Sequence, residues 1–350
     1  MTRLSDEAFM RRALLLAAKS PADTHPNPMV GAVIVADGNI IGEGWHRKCG
    51  QGHAEVNAIA SVTDRSLLRR STIYVSLEPC SHYGKTPPCA RLIIESDIPR
   101  VVVGAIDPFE KVAGRGIAML REAGIEVTEG ILADECRALN AKFYTAHTLR
   151  RPYITLKWAT SADGFMDSRR SPGEPAPKFS SQLTSTLAHR LRTLYDGILT
   201  TSRTAIADGC RLSVRLYDGP SPQRIVVDRR CILPEDAPIF SGAEKPVLVY
   251  SPRGIDISEP SAVFSDLYAR GITSVLVEAG PTYLQQLIDL GLYDSIRMEC
   301  NDAMTLGACG AAPAPQLPDG LRHISTQAYG SNTVSWYSRN PESPLLSLHP

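Results

Sequence analysis

Two short stretches constrain this chain more than any other: His53-Ala54-Glu55 and Pro79-Cys80-Ser81-His82-Tyr83-Gly84-Lys85-Thr86-Pro87-Pro88-Cys89. One imidazole and two thiolates are strong zinc ligands, and three protein ligands leave the fourth tetrahedral position open to water, as in catalytic rather than structural sites. His53, Cys80 and Cys89 are therefore the expected ligands of one zinc per chain. A structural zinc would want a fourth Cys or His nearby, for which His82 is the candidate. If the run 53–60 starts a helix, the Glu55 carboxylate lies beside the metal without ligating it. Zinc lowers the pKa of a bound water to about 7. Glu55 then stands where a proton shuttle belongs.

A His-x-Glu followed by Pro-Cys-x-x-Cys is the signature of zinc nucleobase deaminases, whose Glu takes a proton from water and returns it to the ring nitrogen and the departing amine. The chemistry implied is hydrolytic deamination of a heterocycle. Here eight residues separate Cys80 from Cys89, and the insert carries His82, Lys85 and Thr86. With its Cys-Ser-His-x-Gly-Lys-Thr-Pro-Pro-Cys form, the loop resembles the deaminase half of the bifunctional riboflavin-biosynthesis deaminase-reductase family. Taken alone, a His-x-Glu is more often a solvated helix start, and paired cysteines are more often small buried hydrophobes.

Size and charge fit that resemblance. At 350 residues the chain has room for two domains. Lys+Arg and Asp+Glu balance at 37 each, so there is no electrostatic footprint for nucleic acid or an anionic membrane. A small-molecule substrate is the expectation. The start Met1-Thr2-Arg3-Leu4-Ser5-Asp6-Glu7 has no signal-peptide pattern, and no apolar run approaches the ~20 residues that span a bilayer, so a cytoplasmic protein is expected. The remaining cysteines (Cys49, Cys136, Cys210, Cys231, Cys300 and Cys309) read as reduced thiols.

The expected architecture is α/β throughout. Ser5 is placed to cap a helix with an acidic first turn and apolar Phe9, Ala13, Leu14 and Ala17 at helical spacing. Residues 30–35 and 40–45 read as strands joined by Asp37-Gly38, a strong hairpin signal. Beyond the zinc helix come a strand (72–77), the zinc loop, a helix (87–96), a strand (101–105), a helix (114–123), a strand (125–128) and one helix over 133–146. Alternating strands and helices predict a three-layer α/β/α domain with parallel strands, cytidine-deaminase-like by the resemblance. In such sheets ligands sit at the carboxyl ends of strands, which is where Glu78-Pro79-Cys80 falls. The resemblance further implies that Asn27, held between Pro26 and Pro28, contacts the base and that His46 contacts substrate. It also implies that His82, Lys85 and Thr86 hold the ribose phosphate, a cation, an imidazole and a hydroxyl being suited to it. The segment Asp107-Pro108-Phe109 resembles a substrate-closing loop.

The basic junction Thr148-Leu149-Arg150-Arg151-Pro152 sets the expected boundary, with a deaminase domain over 1–147 and a reductase domain over 148–350. Tyr153-Ile154-Thr155-Leu156-Lys157-Trp158-Ala159 alternates as a strand and resembles the first strand of the family's dihydrofolate-reductase-like α/β reductase, which uses NADPH outside any Rossmann fingerprint. Matches in family order imply that Thr204, Asp208, Ala279, Gly280 and Pro281 contact NADPH, and that Arg192, Leu212, Arg215 and Glu278 contact substrate and its phosphate. Gly209-Cys210, Lys178 and Ala279 depart from the family pattern, and a Cβ at 279 would crowd the cofactor if that residue needed φ > 0. These departures motivate a second reading, a deaminase with a degenerate structural half; a nucleic-acid deaminase is disfavoured by the neutral charge and the long insert. The resemblance implies two successive reactions. A pyrimidine deamination by zinc is followed by NADPH-dependent reduction of ribosyl to ribityl, in a homo-oligomer (dimer or tetramer) assembled through the reductase half.

Overall fold

The computed structural model describes residues 5–20, 24–81, 87–109, 113–171, 174–253, 255 and 257–340. The chain divides into two compact units, Met1–Leu149 and Arg150–Pro350. Among the described residues no helix is long and apolar enough to cross a membrane.

In the first unit, α1 (Asp6–Ala17) precedes the hairpin β1 (Gly31–Ala36) and β2 (Asn39–Trp45), then α2 (Ala54–Ala60), β3 (Ser71–Leu77) and α3 (Cys89–Glu95). There follow β4 (Arg100–Ala105), α4 (Arg115–Glu122), β5 (Glu126–Glu129), α5 (Ala133–Leu139) and α6 (Ala141–Leu149). The sheet order is β2-β1-β3-β4-β5. Strands β3, β4 and β5 run parallel as the alternation of strands and helices predicts, while β1 is antiparallel to both neighbours, so the expected hairpin makes the sheet mixed. The reason lies in Asp37 (φ 52°) and Gly38 (φ 80°), whose left-handed pair closes the two-residue hairpin and reverses the chain. One face carries α2, α3 and α4, packed through Ala54, Ala58, Ile59, Ala90, Ile93, Ile117 and Leu120 onto Ala32, Ile34, Ile73, Val101 and Val103. The other carries α1 against β1 and β3, and α5 against β4, which gives three layers.

Two glycines set the helices that bear the site. A Cβ on Gly44 would stand 2.3 Å from the Ala58 nitrogen, so α2 can lie on β2 only over bare backbone. A Cβ on Gly116 would stand 2.0 Å from the Pro79 carbonyl, so α4 can reach the residues leading into Cys80 only there. Two expectations fail locally. Ser5 is the N-cap of α1, but its side chain makes no capping bond. The single helix over 133–146 is two helices, broken where the Asn140 amide turns to bond both the nitrogen and the carbonyl of Met29, each at 2.8 Å.

The second unit contains β6 (Tyr153–Ser161), β7 (Phe165–Ser168), α7 (Gln182–Arg192), β8 (Gly197–Thr201), α8 (Ser202–Asp208), β9 (Gln223–Val227) and β10 (Leu248–Tyr250). It continues with α9 (Pro260–Ala269), β11 (Ser274–Val277), α10 (Pro281–Asp289), β12 (Ser295–Asn301), β13 (Gly310–Pro313), β14 (Arg322–Tyr329) and β15 (Asn332–Ser338). Its main sheet has the order β10-β9-β8-β11-β6-β12-β15-β14, while β13 pairs separately with β7. The first six strands are parallel and the last two antiparallel. One face is apolar, with Ile154, Leu156, Trp158, Val275 and Val277 packed under α9 and α10. On the other, α7 contributes Leu191 to a cluster that holds Ile198, Leu276, Val334 and Trp336.

Two candidate active sites

In the first unit, a helix start and a strand end meet. His53 is the N-cap of α2, and Cys89 opens α3. The His53 Nδ1 lies 3.6 Å from Cys80 Sγ and 3.3 Å from Cys89 Sγ, and the three donor atoms fall within 4.8 Å of one another. Tetrahedral zinc with its usual N and S bond lengths spaces such donors about 3.5 Å apart, so the set fits zinc. A hydrogen bond from Cys89 holds Cys80 as thiolate, its pKa brought down to about 4, and the backbone N–H of Cys89 donates to it at 3.3 Å. The Cys80 thiolate in turn raises the pKa of His53.

Glu55, in the first turn of α2, is 3 % exposed. Burial, then the neighbouring Cys80 thiolate, raises its carboxyl to about 7. A divalent cation at the adjacent donors would favour the charged form and draw that value back down. His46 is buried edge-on to His53, 5.4 Å between centroids. Its Nδ1 faces the Gly52 carbonyl at 3.3 Å and its Nε2 the Asn27 amide nitrogen at 3.4 Å. Those partners suit a neutral ring with the proton on Nδ1, and burial lowers the pKa accordingly. Asn27 and His46 are thus brought together, His46 beside the donor triplet. His82, Lys85 and Thr86 lie outside the described residues. Phe109 packs on His147, 5.2 Å between centroids, and its N–H donates to Asp107.

Glu78 was not among the expected site residues, yet it organises this region. It is 3 % exposed and accepts from four backbone N–H groups: Asp107 (3.2 Å), Gly114 (2.9 Å), Gly116 (2.9 Å) and Ile117 (3.3 Å). One carboxylate therefore ties the approach to Cys80 to both ends of the 107–117 segment. The signal available in sequence was an acidic residue directly before Pro79 at the end of an apolar strand.

The second unit gathers charge at the carboxyl end of β11. Arg192 grips Glu278 bidentately at 2.9 and 2.8 Å, and Lys157 Nζ stands 3.8 Å from the same carboxylate. Burial opposes ionisation of Glu278, but Arg192 and Lys157 together outweigh it and hold the carboxyl well below its usual range. Burial lowers the pKa of Lys157. Lys157 too was missed, its signal being the one charged residue inside a largely buried strand. Arg192 also donates to the Ser213 carbonyl at 2.9 Å, while His189 Nδ1 accepts from the Arg215 N–H at 3.0 Å. So α7 holds the backbone of the segment that carries Arg215, whose side chain is exposed, and Leu212, which is buried with φ 52°.

The expected cofactor residues sit where α8 and α10 begin. Gly280 caps α10, Pro281 is its first residue, and the Gly280 N–H donates to Thr204 Oγ1 at 3.0 Å. A Cβ on Gly280 would meet only that hydroxyl within 4 Å, so this helix start is open for a phosphate to approach, and the residues fit the cofactor's phosphates. Ala279 lies outside the positive-φ region, so its Cβ brings no backbone strain. Gly209 caps α8 in the left-handed conformation that favours glycine. Lys178 is exposed. Asp208, by contrast, is not beside the helix starts: it pairs with Arg170 at 2.9 Å.

Comparison with known proteins agrees with this division. Residues 3–105 match the model for the cytidine and deoxycytidylate deaminase zinc-binding region, and residues 152–335 match the RibD C-terminal domain. The riboflavin biosynthesis protein RibD of Aquifex aeolicus is 36 % identical over 85 % of this chain and 86 % of its own length. That of Escherichia coli is 36 % identical over 84 % and 86 %. Acinetobacter baumannii RibD superposes with a TM-score of 0.84 at 32 % identity, covering 95 % of this chain and 98 % of its own. A Thermotoga maritima diaminohydroxyphosphoribosylaminopyrimidine deaminase/5-amino-6-(5-phosphoribosylamino)uracil reductase superposes at 0.82 with 33 % identity and the same coverage. With a zinc-binding deaminase unit followed by an NADPH-dependent reductase unit, the chain belongs to the RibD family of bifunctional riboflavin-biosynthesis enzymes.

Proposed function

We propose that the first unit deaminates 2,5-diamino-6-(5-phosphoribosylamino)pyrimidin-4(3H)-one to 5-amino-6-(5-phosphoribosylamino)uracil, with His53, Cys80 and Cys89 holding zinc and Glu55 moving the protons. The observation that carries this reading is a carboxyl buried at the start of the same helix that His53 caps. Zinc bound there would make water a nucleophile near neutral pH. Glu55 takes one proton from the attacking water and gives it to the ring nitrogen, then takes the remaining hydroxyl proton of the adduct and gives it to the departing amine, so that one water enters and one ammonia leaves. Asn27 and His46 orient the base. His82, Lys85 and Thr86 are assigned to its ribose phosphate on resemblance alone.

In the second unit, NADPH supplies the hydride. Thr204, Ala279, Gly280 and Pro281 bind its phosphates, and the resemblance adds Asp208 as a contact. Arg192, Leu212, Arg215 and Glu278 hold the substrate's ribose and phosphate. Reduction makes a C1′–H bond, breaks C1′–O4′ and leaves O4′ as a hydroxyl, which requires one proton. Lys157 donates it: its ammonium is largely buried, lies 3.8 Å from Glu278 and titrates below the usual lysine range. We take 1–147 and 148–350 as the two functional domains, in a cytoplasmic homo-oligomer joined through the reductase.

A mass-spectrometric time course on the diaminopyrimidine ribosyl phosphate, with and without NADPH, tests both halves. Exchange of an amine for oxygen without NADPH, then gain of two hydrogens only with it, is expected. Deamination that stops there would defeat the reductase assignments; no deamination would defeat those of the zinc loop. Light scattering after size exclusion tests the oligomer.

A further inference from the structure

Along β12, Ile296, Met298 and Cys300 alternate with Arg297 and Glu299, a pattern that reads as a strand with its charges toward water. Both charges are instead inside, Arg297 at 3 % exposure and Glu299 at 0 %. They form an ion pair at 3.5 Å. Glu299 also accepts from Asn332 Nδ2 at 3.0 Å, and that amide nitrogen donates to the Phe179 carbonyl at 2.8 Å, which fixes the carboxylate in place.

The strand register gives this pair a neighbour. Arg297 is the partner of Lys157 across the parallel β6–β12 ladder, so both side chains leave the same face of strands about 4.8 Å apart. From Lys157 the charges continue to Glu278 and on to Arg192. Three cations (Lys157, Arg192 and Arg297) thus face two carboxylates (Glu278 and Glu299), one positive charge in excess. His189 of α7 faces the same group and adds no charge, because burial, and then Arg192 and Arg215, keep it neutral down to about pH 4. Arginine does not give up its proton in proteins, whereas a buried lysine shifts readily. The excess is therefore relieved at Lys157.

We infer that Arg297 is a positioning residue of the reductase: held by Glu299 and set beside Lys157 by strand register, its fixed charge crowds the Lys157 ammonium against Glu278 and primes it to release a proton to the substrate. This rests on Lys157 as the donor. The proton passes from Nζ to O4′ as C1′–O4′ breaks, the hydride comes from NADPH, and Lys157 is reprotonated from solvent. Burial lowers the pKa of Lys157 most; Glu278 resists, Arg297 and Arg192 lower it further, and Glu299 resists in turn.

Two readouts test this on the full chain. One is the pH dependence of Lys157 acetylation in cofactor-free protein, read by peptide mass spectrometry. The other is the pH profile of the reductase kcat, which falls as pH rises through the pKa of its acid. R297M should move the Lys157 midpoint and the alkaline limb of kcat upward by on the order of one pH unit, the scale of a neighbouring charge. R297K, which keeps the charge, should hold the acetylation midpoint near its original value. R297M/E299M leaves no carboxylate buried without a partner. It should shift both readouts in the same direction by less, and it decides the matter if R297M does not fold. Unmoved midpoints and limbs in the methionine variants, with deamination intact, would overturn the inference and leave Arg297–Glu299 a structural pair. K157M separates the two levels. Loss of reduction with deamination retained supports the donor, whereas an intact alkaline limb removes Lys157 from that role whatever Arg297 does to the acetylation midpoint.

Discussion

The two units hold buried charge in opposite ways. In the first, the imidazole of His53 and the sulfurs of Cys80 and Cys89 converge as a donor set that fits one divalent cation, with the buried Glu55 carboxyl beside it. In the second, Glu278 is already held by Arg192 and Lys157, and Glu299 by Arg297 and an amide, so that side chains of the chain itself supply the counter-charges. A site of the first kind takes its counter-charge from a bound cation. A site of the second kind is charged and ordered in advance by its own side chains.

Removing the metal should break this contrast most sharply. Chelation is expected to abolish deamination and to lower the melting transition of the first unit, while NADPH oxidation on preformed 5-amino-6-(5-phosphoribosylamino)uracil continues; calorimetry with the two assays checks it. E55Q leaves the donors in place and should cut deamination by about 10²–10⁴-fold, the usual worth of a general acid/base. Metal content by plasma emission should stay unchanged in that variant. On the other side, E278Q strips Arg192 and Lys157 of their carboxylate. Breaking a buried pair costs about 3–5 kcal/mol, so urea unfolding of the second unit should weaken on that scale while deamination persists.

The smallest effect expected is on pH. The folded pKa of His189 lies below its ordinary value, at about 4, through burial and then the charges of Arg192 and Arg215. A lowered histidine contributes its full stability above about pH 6.5, and loses it as pH falls toward 4, because over that interval the unfolded chain binds a proton that the folded ring does not. In the folded enzyme the ring takes up its proton only near pH 4 and then loses the acceptor that holds the Arg215 N–H, so the reductase KM for the phosphorylated substrate should stay level down to about pH 5 and rise as pH approaches 4. H189N, which keeps an acceptor near Nδ1 and does not titrate, should flatten the rise.

What could be read in the sequence was chemistry that is local or rare. Cys80, Cys89 and His53 point to a metal by their combination and order, and Asp37-Gly38 announces a hairpin because few dipeptides tolerate two left-handed residues. What could not be read depended on distant partners. The 133–146 helix breaks because Asn140 serves Met29, 111 residues away. Ser5 has a capping residue's identity but makes no side-chain bond, a matter of rotamer rather than of pattern. Arg297 and Glu299 carry a surface alternation on a face that turns out to be covered, and no local period distinguishes a wet face from a dry one. Asp208 keeps its place in the family order, while its carboxylate is taken by Arg170.

The four N–H groups that converge on Glu78 belong to a loop and a helix start, not to a sheet ladder. In hydrogen–deuterium exchange such amides ordinarily equilibrate early. These four share one carboxylate, two on each oxygen, so they should exchange late, with a common degree of protection. The lifetime of these four contacts beside Cys80 is then set by the escape of a single carboxylate, and a kinetic trace of four deuterons would time it.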